Sequence, residues 1–140
     1  MTTRAAAKTA AKPAANPAAL DAVFDELKAI LTRYASSFTV REGAVKNKRD
    51  YHLILQKPLV IDGRKRDDLW FASIIQQKDS VGFYFTCMYE DVKSKLSPEL
   101  LKHLDGKCCF HMKALTPGLK KDVDAALKAG LVAYKKRKWL

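Results

Sequence analysis

The residues best suited to chemistry stand in one run, Cys108-Cys109-Phe110-His111. Two thiols and an imidazole this close could hold a soft metal ion or arm a nucleophile. Strand parity limits both. Alternate side chains of an extended chain face opposite ways, so Cys108, Phe110 and Met112 share one face, and Lys107, Cys109, His111 and Lys113 share the other. The first set is apolar and belongs to a core. Cys87 falls with Val81, Phe83 and Phe85, again on a core side. Cys109 and His111 then remain as one pair of ligands, where structural zinc takes four. The cysteines read as structural, with one alternative: Lys107 and Lys113 flank Cys109 and would favour its thiolate. Without a placed base and an oxyanion site, a reactive thiol does not make an enzyme. His103 reads as a partner of a helix C-terminal dipole or as a surface residue, and His52 as inert. No phosphate loop, serine elbow or paired carboxylates occur, and Asp67-Asp68 after Arg64-Lys65-Arg66 reads as a salt-linked turn. The sequence therefore assigns no catalytic residue, no metal ligand and no cofactor.

What parity leaves is an outer sheet face. Tyr84, Thr86 and Met88 come to it from one strand, Cys109 and His111 from another, His52 and Gln56 from a third. Trp70 is a further candidate, although its strand is apolar on both parities, which leaves its facing open. Two basic segments border the face, one with Lys46, Lys48 and Arg49, the other with Arg64, Lys65 and Arg66. An aromatic sheet with a cationic rim suits single-stranded nucleic acid or an anionic small ligand. The alternative is that the face is covered by the loop 43–50, by a short helix or by a second subunit.

The elements that must position these residues follow from periodicity. Residues 1–17 contain seven alanines, Arg4, Lys8, Lys12 and two prolines, with no acid and no aromatic, and are expected to be a disordered basic tail. Residues 18–140 form one domain. Asn16-Pro17 opens a helix expected to end near Ser36, with Leu20, Val23, Phe24, Leu27, Ile30, Leu31 and Tyr34 on one stripe. Period two then predicts strands over 38–42, 51–57, 59–61, 69–76, 81–89 and 107–115, with a tight turn at Asp62-Gly63. Ser97-Pro98 caps a short helix over 99–104, and Thr116-Pro117 opens a final helix ending in Lys135, Lys136, Arg137 and Lys138. Short links make the strands an antiparallel meander. The expected fold class is α+β: a two-layer sandwich with the N- and C-terminal helices on one face of an antiparallel sheet.

The chain has 140 residues and a formal charge of +11. That length gives one ordinary core and excludes two. Three of its 26 basic residues lie in the first seventeen, leaving 23 against 15 acids, or +8, on the body. The charge is thus mostly a property of the folded surface, and it points to an anionic partner, either nucleic acid bound weakly or an acidic protein. Three cysteines are an odd number for a disulfide framework, and no apolar run suits a signal peptide or a membrane span. A reduced cytoplasmic protein is the expectation.

The stretches VGFYFTCMY and LSPELLKHLDGKCCFHMKAL and the closing GLVAYKKRKWL resemble the YdhG-like domain family over roughly residues 20–140. Gly106, Lys107, Cys109 and Phe110 are the most specific piece. The resemblance implies a small α+β domain, mostly of unknown function, and carries over no catalytic residues. Some relatives are described as frataxin-like iron chaperones, which bind iron through a strongly acidic first helix. Here that helix offers only Asp21, Asp25 and Glu26, beside Lys28 and Arg33. The leading expectation is a non-enzymatic accessory module for an anionic partner. The alternatives are a frataxin-like chaperone and an enzyme or redox protein built on Cys109, His111 and Tyr84.

Overall fold

The computed structural model describes residues 17–45 and 48–140. The expected tail, apart from Pro17, and the candidate Lys46 lie outside them. Helix α1 spans Pro17–Thr32, and a 3-10 turn over Ala35–Ser37 leads into strand β1, Thr39–Val45. Then come β2 (Lys48–Leu55), the short pair β3 (Leu59–Ile61) and β4 (Arg64–Arg66), β5 (Leu69–Gln76) and β6 (Val81–Phe85). Two single-turn helices follow, α2 (Glu90–Lys93) and α3 (Pro98–Leu101), then β7 (Leu104–Asp105), β8 (Cys109–Met112) and helix α4 (Pro117–Lys136).

The main sheet has six strands in the order β1-β2-β5-β6-β8-β7, every pair antiparallel, and β3-β4 form a separate hairpin. The α+β sandwich is the fold observed. Leu20, Phe24, Leu27 and Leu31 of α1 and Leu119, Val123, Leu127 and Tyr134 of α4 join one core with Leu53, Phe71, Ile74, Phe83, Phe85 and Phe110 of the sheet. Local chemistry starts the helices as expected. The Ser97 hydroxyl accepts from the Leu100 amide, and the Thr116 hydroxyl from the Leu119 amide, each ahead of a proline. The Tyr34 hydroxyl donates to Asp124 at 2.6 Å, tying the segment just after α1 to α4. Burial and that hydrogen bond push its pKa up to about 12.

Several boundaries differ from the sequence expectation. The expected loop over 43–50 is strand at its described residues: β1 runs to Val45, β2 begins at Lys48, and the two pair. The strand expected over 81–89 stops at Phe85, because the Thr86 hydroxyl turns back to the Trp70 and Phe71 carbonyls. The last strand is only Cys109–Met112, and Leu104–Asp105 folds back on it through Gly106 at φ 82°. Helix α2 was not expected at all.

One irregularity decides which way the aromatics face. Leu53 pairs with Ala72, but the next residue, Ile54, pairs with Trp70, so Phe71 is an extra residue on β5. This β-bulge reverses the parity of what precedes it. Leu69 and Phe71 turn into the core and Trp70 turns out of it. A strand apolar on both parities is thereby reconciled with a sheet that has one dry face.

Candidate binding face

The face away from the helices gathers Arg41 from β1, His52 and Ile54 from β2, Trp70 and Ser73 from β5, Tyr84 from β6, and Cys109 and His111 from β8. Of the residues expected there, Tyr84, Cys109, His111, His52 and Trp70 arrive together. Thr86 lies exposed past the strand end, and Gln56 lies past the end of β2. Met88 is a correction: with the strand ended at Phe85, its side chain packs against the core instead.

The basic rim is also partly redistributed. Lys48 is exposed at the start of β2. Arg49 is not on this face. It pairs with Asp25 of α1 at 2.8 Å and lies 4.2 Å over the Phe24 ring, on the helix side. Arg64, Lys65 and Arg66 form β4, outside the main sheet. The cation that does serve the face is Arg41, which stacks 5.5 Å from the Trp70 ring centre. Sequence reasoning placed a strand through Arg41 but did not assign its side chain; its parity with His52 was the available signal.

Two small networks lie on the face. In the first, the His52 ring meets Trp70 edge-on at 4.9 Å, with Nδ1 2.7 Å from the Ser73 hydroxyl and Nε2 3.6 Å from Asp50. Burial holds the His52 pKa below its ordinary value, against the opposing pull of Asp50. In the second, Tyr84 lies folded down over Gly82, where an added Cβ would fall 2.9 Å from its ring. Gln77 donates to the Tyr84 hydroxyl at 3.0 Å. Across from Tyr84 is Cys109, and the hydrogen bond between them, followed by burial, raises the pKa of the tyrosine. Ile54 and Cys109 are only 1% and 9% exposed, yet stand outside the core cluster, opposite Trp70 and Tyr84. The face therefore shields its own aliphatic floor with its aromatics, and Trp70 and Tyr84 remain half-exposed above it.

Cys109 and His111 meet as expected, at 3.5 Å, but with a different chemistry. Burial pushes the Cys109 thiol up, away from the thiolate that its flanking lysines were expected to favour. Asp105 approaches the same ring nitrogen, Nε2, at 3.5 Å, so it does not orient the imidazole from the far side as a nucleophile's base requires. Ser80 sits at the other nitrogen at 3.2 Å, but the burial is inverted for hydrolysis: Ser80 is 7% exposed and the Asp105 side chain 81%. His111 also lines a groove of about 560 Å³ with Glu99, His103, Lys113 and Asp122, whose charges are of both signs. His103 itself lies 3.1 Å from the His111 carbonyl.

The acids of α1 are engaged one by one: Asp21 accepts from Gln76, Asp25 binds Arg49 and Glu26 binds Lys120. Among the described residues, no three His, Cys, Asp or Glu side chains are grouped to hold a metal ion, and no helix is long and apolar enough to cross a membrane. No family model, curated protein or solved structure matches the chain.

Proposed function

We propose that this is a non-enzymatic binding module, of the YdhG-like kind its sequence resembles, that takes up single-stranded nucleic acid on the outer face of its sheet. The observation that carries the reading is the state of two rings. Trp70 has a guanidinium stacked on it, and Tyr84 is laid down over a glycine; both are half-exposed on a face to which no helix contributes core residues. Half-exposed flat rings are what unpaired bases stack on, and Arg41 and the exposed Lys48, on the strands β1 and β2 that pair at this edge, supply cations for the phosphates. The body charge of +8 adds long-range attraction. Three free thiols, one of them raised by burial to about 12, fit a reducing cytoplasm. The engaged acids of α1 weigh against the iron-chaperone reading, since ferrous and ferric ions favour clustered free carboxylates.

Fluorescence anisotropy of a labelled single-stranded oligonucleotide tests this. Binding is expected at about 50 mM salt and should weaken steeply toward about 200 mM. Trp70→Ala or Tyr84→Ala should each weaken it about 5- to 150-fold, the loss of one stacked base. No binding at the lower salt retires the reading.

A further inference from the structure

Strand β1 is an edge. Among the described residues its ladder partner is β2 alone, and the sheet ends there. Thr39 to Ala44 are all exposed, and the apolar Val40 is 43% exposed. Helix α1 packs over β2, β5 and β6, inward of this edge. Val45 and Lys48 are the pair that closes a two-residue link, so the pairs bonded to β2 fall at positions 45, 43, 41 and 39. Val40, Glu42 and Ala44 then turn their N–H and C=O groups outward. A seven-residue strand in this state is a template for another strand.

Charges usually blunt such an edge, and β1 carries Arg41 and Glu42. In one register these charges complement a second copy of the same strand. A copy added antiparallel about a two-fold axis must bring outward groups to outward groups, which centres the pairing on residue 41, 42 or 43. Centred on 41, the two Arg41 side chains oppose each other. Centred on 43, Arg41 comes opposite Val45, in line with Lys48. Centred on 42, Arg41 comes opposite Gly43, in line with Asp50. Gly43 has no side chain to block a cation, and Asp50 Oδ1 lies 3.1 Å from where its Cβ would stand. The other copy's Arg41 starts one strand spacing away, about 4.8 Å, within reach of that carboxylate. Within its own chain Asp50 has a single ion-pair partner, His52 at 3.6 Å, whose burial opposes its charging. On the helix side Val40 meets Ala44 of the other copy, and each Glu42 at the axis already holds a Lys28 ammonium. We infer that β1 is a docking edge for a second copy of this chain, antiparallel and centred on Glu42, with Arg41 of each copy paired to Asp50 of the other. The contact is seven residues long, so the dimer is weak and reversible. Arg41 leaves the Trp70 ring, now 5.5 Å away, to make the pair. No ligand is needed, so the inference does not rest on the nucleic-acid reading.

The test is analytical ultracentrifugation of the full chain with no nucleic acid present. A shift from monomer to dimer is expected between about 5 and about 500 µM, the range of a weak interface. Glu42→Pro removes an outward N–H at an edge, where proline is tolerated, and should abolish the dimer with the melting temperature little changed. Arg41→Asp should weaken association about tenfold, and Arg41→Asp with Asp50→Arg should restore it to within about threefold. The swap decides the matter if the proline variant does not fold. In Trp139→Phe the emission of Trp70 should change over the same range of concentration, as Arg41 leaves its ring; a dimer formed elsewhere would not move it. A chain that stays monomeric to about 500 µM overturns the inference and leaves the edge to a strand of another protein. So does a dimer that survives Glu42→Pro, or one that Arg41→Asp leaves unchanged. A dimer that forms as expected in a chain that never binds the single-stranded oligonucleotide retires the Proposed function and leaves this edge standing.

Discussion

Phe85 and Tyr84 are neighbours with opposite duties. Phe85 is fully buried and packs edge-on against Phe71, while Tyr84 lies half-exposed on the other face. Phe85→Ala should cost about 3–5 kcal/mol in a urea melt, the usual range for a buried aromatic, and Tyr84→Ala clearly less. The reverse order would mean the faces are assigned backwards. Gly82→Ala is a finer probe, since its Cβ would press on the Tyr84 ring and on nothing closer than 3.5 Å besides. Lifting the ring should weaken single-strand binding about as much as removing it, with stability little changed. A variant that binds normally would show that the flat ring is not what the ligand uses.

The pH dependence of stability has a residue of its own. Because burial lowers the His52 pKa from 6.5, the unfolded chain takes up a proton before the folded one. Stability from neutral His52 is therefore complete above the unfolded value and is lost as the pH falls through the lower folded value. His52→Gln should flatten the loss measured by urea melts between about pH 6.5 and 5, the range over which an ordinary histidine charges. Parallel wild-type and variant profiles would remove His52 from the acid response.

At the scale of elements, α4 comes close to the sheet through a glycine. A Cβ at Gly130 would fall 2.9 Å from Phe71 and 2.9 Å from Phe85, both core rings with no room to retreat. At Gly118, in the first turn of the same helix, it would meet only the Thr116 hydroxyl at 3.9 Å. Alanine is the better helix former by about 1 kcal/mol, so packing decides the sign. Gly118→Ala should be neutral or slightly stabilising, and Gly130→Ala should destabilise by about 1–3 kcal/mol through overpacking. Equal effects in thermal melts would refute the close approach. This constraint was not legible in the sequence, because it depends on Phe71 and Phe85 of the sheet, far from Gly130 along the chain.

The elements that were legible are those whose pattern is local. The apolar stripe of α1 from Leu20 to Leu31, the caps at Ser97 and Thr116 and the Asp62-Gly63 turn depend only on neighbours along the chain, and these are present; the expected cap at Asn16 lies outside the described residues, and α1 ends at Thr32, ahead of Tyr34. What was missed depends on partners far away. Nothing near Phe71 announces a bulge; the register with Leu53 and Ile54 makes it. Arg49 has the composition of a loop cation until Asp25 and Phe24 of α1 draw it to the other side. The Cys109 thiol is raised because a strand pairing buries it beside Tyr84, which outweighs the lysines beside it in sequence.

Among the described residues, the six-stranded sheet has one face packed under the helices and one outer face, and the two share every strand. The six strands form one continuous ladder, and α1 and α4 pack on it and are joined to each other by Glu26 with Lys120, with Tyr34 just past α1 bonding to Asp124 of α4. The two tryptophans report from separate places: Trp70 on the outer face, and Trp139 just past α4, edge-on to Tyr134 and Tyr89. Trp139→Phe leaves Trp70 as reporter, and Trp70→Phe leaves Trp139. A small domain with one core should unfold in a single transition, so within each variant the tryptophan signal and the far-ultraviolet circular dichroism should share one midpoint in urea. A ligand that binds only the folded state stabilises it by about 2.7 kcal/mol when present at a hundred times its dissociation constant. A single-stranded oligonucleotide at that excess should therefore shift both signals of Trp139→Phe together. If the Trp70 signal moved while circular dichroism did not, the outer face would be a locally folding patch and not a surface of the domain.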